Sequence, residues 1–250
     1  MDLTFLGTGG GRFTMIEQLR RTGGMEHDGF TMHIDPGPGA LVQAHEEGFD
    51  PEETDAVLVS HAHLDHCGDM HAVIEAMTAG GDADRGTLLA AESVFDGADV
   101  PATYSEGEGM YGDRVPAALD DYHGELVGET ERLADGSTVN IGPFTVVDCV
   151  ETDHSDPRTV AYTVSAGDIS AGFVTDTAWF DALPAFFEGV DVLVANLMRP
   201  HDHEWKGHLN TADAARLLEE TDPGFAVMQH FGAALIYGGV DAEREWLADR

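Results

Sequence analysis

The stretch SHAHLDH at residues 60–66 places three imidazoles and one carboxylate close together in the chain. Neutral imidazole and carboxylate are ligands that suit Zn²⁺ and similar divalent ions. Because side chains alternate along an extended loop, His61 and His63 can converge on one ion. Asp65 and His66 lie one step further along the chain and can serve a second ion. A loop of solvated histidines is the simpler alternative, but this combination and spacing favour a metal site.

Strand-like apolar runs precede several polar residues of the chain. The run AVLV directly before the stretch has the length and the β-branched content of a buried strand, so the histidines are expected at a strand end. Further strand-like runs lead to His154, to Asp176 in a Thr-Asp-Thr turn and to His230. Asp176 could instead cap a helix that we predict near residues 179–187. His208 lies just before a helix predicted over residues 211–220.

The sequence HAHLDH after an apolar strand resembles the signature of the metallo-β-lactamase superfamily. The resemblance implies an α/β protein with a four-layered αβ/βα fold, in which two packed mixed β-sheets are flanked by helices. The aspartate at the fifth position of HAHLDH resembles the di-metal hydrolases, because members with a di-iron redox centre typically carry HxExD instead. The opening FLGTG at residues 5–9 and the histidine at position 208 resemble the branch of ribonuclease Z-like and cyclic-phosphate phosphodiesterase-like proteins.

The resemblance also implies a set of site residues. The first ion would be held by His61, His63 and His154, the second by Asp65, His66 and His230, and Asp176 would bridge the two. Asp35, in a DxG motif, would support the histidine loop without binding metal. His208 would protonate the leaving group, positioned through Asp65. His201 and His203 repeat the HxH spacing but lack the downstream acid, so we expect them to be substrate-facing or solvated.

The charge balance is strongly acidic, with 47 Asp and Glu against 12 Lys and Arg and a net charge of −35. The acidic residues are spread along the whole chain, which resembles the proteins of salt-accumulating halophiles. Self-repulsion of this size predicts a requirement for molar salt. The sequence also lacks the basic footprint that nucleic-acid binding needs.

The remaining composition bounds the architecture and the compartment. At 250 residues we predict a single domain, 1–250, with a long excursion at about 96–131 near the site mouth. The cysteines, Cys67 and Cys149, are too few for a disulfide framework, which fits a reducing cytoplasm. We expect neither a transmembrane helix nor a signal peptide, since no apolar run is long enough and the N-terminus lacks a basic region.

Together these observations predict a cytoplasmic hydrolase with two divalent ions per chain. Zn²⁺ is the expected metal, and Mn²⁺ and Fe²⁺ are alternatives. A metal-bridging hydroxide would attack a small nucleotide or sugar-phosphate diester. Three alternatives stay open: an RNA- or DNA-processing nuclease of ribonuclease Z type, a thioester or lactam hydrolase, and a non-catalytic metal-binding module. The expected partner is a small phosphodiester rather than nucleic acid or a membrane, and a homodimer is an expectation by analogy alone.

Overall fold

Residues 2–28, 30–105, 112–142 and 145–250 are described by the computed structural model of the chain. The strands within these ranges are β1 (Asp2–Phe5), β2 (Met25–Asp28), β3 (Met32–Ile34), β4 (Ala56–Val59), β5 (Thr87–Ala91), β6 (Ala98–Asp99), β7 (Arg114–Val115), β8 (Glu129–Leu133), β9 (Thr138–Ile141), β10 (Thr145–Glu151), β11 (Val160–Ala166), β12 (Ile169–Val174), β13 (Val192–Asn196) and β14 (Phe225–Gln229).

The helices are short and connect these strands. They are α1 (Arg12–Glu17), α2 (Ala40–Glu47), α3 (Leu64–Cys67), α4 (Met70–Met77), α5 (Glu92–Asp96), α6 (Ala102–Ser105), α7 (Asp121–Leu126), α8 (Leu183–Phe186), α9 (Thr211–Thr221), α10 (Ala233–Gly238) and α11 (Val240–Ala248), with a 3-10 turn at Pro51–Glu53. Across the described ranges, no helix combines the length and apolar character needed to cross a membrane.

Two mixed sheets form the centre of the fold. The first has the order β1-β2-β3-β4-β5-β8, antiparallel through β3 and parallel from β3 onwards. The second has the order β14-β13-β12-β11-β10-β9, parallel from β12 to β14 and antiparallel elsewhere. Neighbouring parallel strands end at the same edge of a sheet, so loops that follow them lie side by side. This arrangement brings polar loops from both sheets to one edge.

The main apolar core lies between the two sheets. Leu58 and Leu89 of the first sheet pack in one cluster with Tyr162, Phe173 and Val194 of the second. The rings of Tyr162 and Phe173 stack with centroids 5.0 Å apart. Burial of these apolar surfaces is the main term that holds the sheets face to face.

Helices cover the outer face of each sheet. Val57 and Val59 of β4 pack against Val73 and Ile74 of α4, which explains why all four residues of β4 are buried. On the other sheet, Leu193 packs against side chains of the α8 and α9 region. The layers are therefore helix, sheet, sheet and helix, and the predicted four-layered αβ/βα fold is confirmed.

The segment predicted as a long excursion contains more regular structure than expected. In its described part it forms β6, β7, α6 and α7, while residues 106–111 lie outside the described residues. Its last residues belong to β8, the edge strand of the first sheet. The sequence ETERL of β8 is exposed in four of its five positions, so it has no apolar alternation by which a strand could be recognised.

Truncation of the inter-sheet core provides a test of this packing. Leu58 is fully buried, so Leu58→Ala is expected to lower the free energy of unfolding by about 2–5 kcal/mol through lost transfer energy and a residual cavity. The matched change Val42→Ala, at a side chain 61% exposed on α2, is expected to alter it by less than about 0.5 kcal/mol. Denaturant unfolding in concentrated KCl measures both, and equal effects would contradict the packing described.

Candidate metal centre

The loop that follows β4 presents the first group of donor atoms. His61 leaves the strand end, and His63 lies just before α3. His63 Nδ1 is 3.0 Å from His61 Nε2 and 3.1 Å from His154 Nε2, and His154 comes from the loop after β10. The three nitrogens form one triad whose ring faces are nearly perpendicular to each other.

A second group lies beside the first. His66 Nε2 is 3.0 Å from His230 Nε2, and Asp65 Oδ2 is 3.3 Å from the same His230 nitrogen. Asp65 and His66 belong to α3, whereas His230 follows β14 in the other sheet. The second triad therefore joins the two sheets at their shared edge.

Asp176 lies between the two triads. Its Oδ2 is 3.8 Å from His61 Nε2 of the first triad and 3.5 Å from His66 Nε2 of the second. Its Oδ1 is 3.3 Å from His230 Nε2 and accepts a hydrogen bond of 2.8 Å from Asn196 Nδ2. The helix predicted near 179–187 is present but shorter, as α8 (Leu183–Phe186), and its N-cap is Ala182, so the alternative that Asp176 caps this helix was wrong.

The donor atoms fit a divalent cation on their own chemistry. His63 Nδ1 faces two imidazole nitrogens, yet a neutral ring nitrogen carries either one proton or one lone pair, so hydrogen bonding cannot satisfy the triad symmetrically. The rings of His61 and His154 are 0–2% exposed, so water does not compensate for facing lone pairs. A cation that accepts all three lone pairs resolves the conflict, and N/O donor sets of this kind suit zinc, manganese or iron.

The electrostatic environment favours the deprotonated form of most of these groups, which is the form that binds metal. Burial lowers the pKa of His61 and His154, and it lowers the pKa of His63 to about 4. Burial alone would raise the pKa of Asp176, but the surrounding histidines outweigh it and hold that pKa well below its ordinary range. For His66, burial is outweighed by neighbouring carboxylates, which raise its pKa well above the ordinary value. A proton on His66 and a metal ion compete for the same lone pair.

Asp35 supports the histidine loop as predicted. Its Oδ2 accepts a hydrogen bond of 2.9 Å from His66 Nδ1, which leaves Nε2 directed at the second triad. Its Oδ1 accepts a hydrogen bond of 2.7 Å from the Ser60 backbone N–H, and its Oδ2 accepts one of 2.8 Å from the Ser60 hydroxyl. Asp35 adopts a left-handed backbone with φ +49°, and these three hydrogen bonds hold it there.

Two supporting residues were not identified from the sequence. Asp156 is fully buried, and its Oδ2 accepts a hydrogen bond of 3.1 Å from the Ala62 backbone N–H between the two loop histidines. Asn196 orients Asp176 and in turn accepts a hydrogen bond of 3.0 Å from Gln229 Nε2. Asn196 could have been found from the sequence, because it is a polar residue at the end of the otherwise apolar strand β13.

The glycine cluster after β1 allows the backbone to pass close to the second triad. The Gly11 N–H donates to Asp65 Oδ2 at 2.6 Å. A Cβ atom on Gly10 would lie 2.1 Å from the His230 ring, so only glycine fits there. The cluster thus positions Asp65 and His230 by contact.

His208 lies at the edge of the centre, beside the carboxylate of Asp176. Its Nδ1 is 3.7 Å from Asp176 Oδ2, and its ring is 4.9 Å from that of His154. Burial lowers the pKa of His208 well below its ordinary value, and the Asp176 carboxylate opposes this shift. Asp65, predicted to position His208, has its carboxylate in contact with Gly11, His66 and His230, and its charge opposes the lowering of the His208 pKa.

The second HxH pair lies outside the centre. His201 Nδ1 is 3.0 Å from Glu243 Oε1, and its ring stacks on Trp246 of α11. His203 is exposed beside Asp202. The structure therefore places His201 against the C-terminal helix rather than facing a substrate, and leaves His203 solvated.

Comparisons with known proteins agree with this architecture. Residues 31–231 match the family described as beta-lactamase superfamily domain. The chain is 33% identical over 249 residues to an uncharacterized protein of Methanocaldococcus jannaschii, an alignment that covers 97% of this chain and 87% of that protein.

Solved structures show the same fold at low sequence identity. The metallo-beta-lactamase fold protein YhfI of Bacillus subtilis has a TM-score of 0.73 and 19% identity, covering 98% of this chain and 90% of that one. A diphosphatase from the PhnP family has a TM-score of 0.64 and 20% identity, with coverages of 93% and 87%. Human tRNase Z, short form, has a TM-score of 0.66 and 15% identity, with 94% of each chain covered. The chain therefore belongs to the beta-lactamase superfamily and has the metallo-β-lactamase fold.

Proposed function

We propose that the protein is a di-metal phosphodiesterase that hydrolyses a small nucleotide or sugar-phosphate diester. The observation that carries the proposal is the pair of adjacent donor triads joined by the Asp176 carboxylate. A closed structural site would need only one such set, whereas two neighbouring sets with three donors each leave positions for a substrate. The structural neighbours include one protein named a diphosphatase and one named tRNase Z, and these names are consistent with the proposal.

The chain's own residues would hold two divalent ions in this arrangement. His61, His63 and His154 would bind one and Asp65, His66 and His230 the other, with Asp176 shared. Such ions, when bound, activate water for attack on phosphorus and neutralise charge that develops on its oxygens. Asn196 and Asp35 keep the ligand atoms aimed at these positions through the hydrogen bonds described above.

His208 would supply the proton that the departing oxygen needs. Its Nδ1 faces the Asp176 carboxylate, which opposes the lowering of the His208 pKa by burial, and the opposite ring nitrogen would deliver the proton. An alkoxide is a poor leaving group, so this proton matters most when the departing group is an aliphatic alcohol.

Nucleic-acid cleavage remains the second candidate, since the human tRNase Z structure shares the fold. The net charge of −35 opposes it, because non-specific affinity for polynucleotides comes mainly from basic residues that neutralise phosphates. Comparison of turnover on bis(p-nitrophenyl) phosphate, p-nitrophenyl phosphate, an oligoribonucleotide and a thioester separates the candidates. Preference for the diester over the other three supports the proposal, and turnover of only the thioester or the oligonucleotide would overturn it.

Removal of the His208 imidazole tests its assignment. His208→Ala is expected to lower kcat by about 10²–10⁴-fold for diesters with an alkyl leaving group, and by much less for a p-nitrophenyl leaving group, which departs without a proton. Metal content is expected to stay at the wild-type value. The control His203→Ala, at an exposed histidine in the same loop, is expected to change neither quantity.

Two results would remove His208 from this role. The first is an equal loss for both leaving groups. The second is loss of metal, which would make His208 a ligand together with its neighbours His154 and Asp176.

A further inference from the structure

A cleft with two lobes borders the candidate metal centre. The first lobe, of about 340 Å³, is lined by Phe13, Met198, Arg199, Trp205 and His208 among others. The second lobe, of about 430 Å³, is lined by Val100, Arg114, Val115, Ala117 and Ala118 among others. Both lobes share the residues Arg12, His63 and Leu64. They therefore meet beside the first donor triad.

Basic residues are concentrated at this cleft. The whole chain has 12 Lys and Arg against 47 Asp and Glu, yet Arg12, Arg114 and Arg199 all line the two lobes. The Arg199 guanidinium lies over the Trp205 ring at 4.3 Å, and Arg114 Nη1 donates to Asp99 at 3.0 Å, so both side chains are held in place. Guanidinium groups are well suited to donate hydrogen bonds to phosphate oxygens, so their placement at the cleft is consistent with a phosphate ester.

Two adjoining lobes could receive the two organic groups of a phosphodiester. One phosphate at the junction carries two organic arms, and each arm can enter one lobe. A monoester has a single arm and would leave one lobe unfilled. Burial of both arms would contribute binding energy remote from the reacting phosphorus, which an enzyme can use to position it.

The donors and the proton source differ between the lobes. His208 and Asp65 line the first lobe, whereas His63 is the only proposed ligand among the residues that line the second. If His208 protonates the departing oxygen, the departing arm lies in the first lobe. This step rests on the proposed function.

The lining residues also distinguish the arms chemically. In the first lobe, Trp205 with its stacked Arg199, and Phe13, which is 62% exposed, offer flat surfaces to an aromatic ring. In the second lobe, Val100 and Val115 are buried and aliphatic, while Arg12, His71 and Arg114 contribute polar groups. None of the described residues that line this lobe is Phe, Tyr or Trp. A ring such as a nucleobase fits the first surface better than the second.

We propose that the substrate is an asymmetric phosphodiester whose departing arm carries a flat aromatic group in the first lobe and whose retained arm lacks such a group and lies in the second. Hydrolysis forms a P–O bond to the water oxygen and breaks the P–O bond to the departing arm. The departing oxygen takes a proton from His208, and the attacking water loses one. The products are an alcohol from the first lobe and a phosphomonoester in the second.

Two diesters with the same p-nitrophenyl leaving group test the assignment of the arms. One retains a methyl arm and the other a phenyl arm. Ala117→Trp, at an exposed position of the second lobe, is expected to lower the phenyl-to-methyl ratio of kcat/KM by at least about tenfold, because the indole occupies the space of the retained ring. Phe13→Ala is expected to lower both values by a similar factor and to keep the ratio. Ala248→Trp, exposed on α11 and outside the lining residues of both lobes, serves as the matched control.

Equilibrium binding provides a readout that does not depend on turnover. Phenylphosphonate and methylphosphonate resemble the retained-arm product, and calorimetry is expected to show the same selective loss for phenylphosphonate in Ala117→Trp. A ratio that changes in Phe13→Ala but not in Ala117→Trp would overturn the assignment while the diesterase proposal stands. Wild-type protein that binds the phosphonates selectively but hydrolyses no diester would instead overturn the proposed function.

Discussion

Asp176→Asn is expected to lower the metal content below two ions per chain and to reduce diester hydrolysis by more than about 100-fold, the upper end of what a change around metal ligands costs. The substitution keeps the size of the side chain and an oxygen that can accept from Asn196, so the fold should persist. It removes the negative charge that faces His61, His66 and His230 at 3.3–3.8 Å. Without this charge, nothing else described between the triads balances two adjacent divalent ions.

The control for this variant is Asp181→Asn. Asp181 is exposed in the connection between β12 and α8, so the same loss of charge there should leave metal content and turnover unchanged. Elemental analysis and initial rates measure both variants. Full metal content and full activity in Asp176→Asn would contradict the bridging position.

Gly10→Ala is expected to displace His230 and to empty the second triad while the first stays intact. The added Cβ would lie 2.1 Å from the His230 ring, far inside contact distance, so the ring must move. A displacement of about 1 Å in a catalytic group can cost on the order of 100-fold in rate, and loss of a ligand should cost at least as much. The expected result is about one ion per chain in place of two.

Gly238→Ala separates this effect from a general effect of adding a methyl group. Gly238 has no heavy atom within 4 Å of the added Cβ, and its backbone is not left-handed. It should retain both ions and full turnover. Two ions bound to Gly10→Ala with wild-type activity would show that the glycine cluster does not position His230.

Much of the fold could be predicted because its central elements carry strong local patterns. The run AVLV gave β4, the glycine-flanked segment 40–47 is an amphipathic helix, and Asn210 caps α9 with a capping box to Asp213. By contrast, β2 and β8 are polar strands that pair only through tertiary contacts, and α1 follows a glycine cluster with no capping side chain. Elements of this kind cannot be recognised from local sequence patterns.

The candidate site divides in the same way. The seven predicted ligand residues come together because they lie in loops that follow strand ends or, for Asp65 and His66, in the short helix α3 after β4, and the sheets share an edge. The supporting contacts join positions far apart in the chain, such as Ala62 with Asp156 and Asp176 with Asn196, so spacing could not reveal them. The contact of His208 with Asp176 was missed for the same reason, and the positioning of His208 through Asp65 stays a prediction.

The most direct test of the central claim is metal content measured together with hydrolysis of bis(p-nitrophenyl) phosphate, in molar KCl, before and after chelation. We predict two divalent ions per chain and diester hydrolysis that chelation abolishes and that added Zn²⁺, Mn²⁺ or Fe²⁺ restores. Thermal unfolding should also shift to lower temperature on chelation, because ions that bind only the folded state stabilise it. Protein that is folded and binds no metal, even with these ions supplied, would contradict the account.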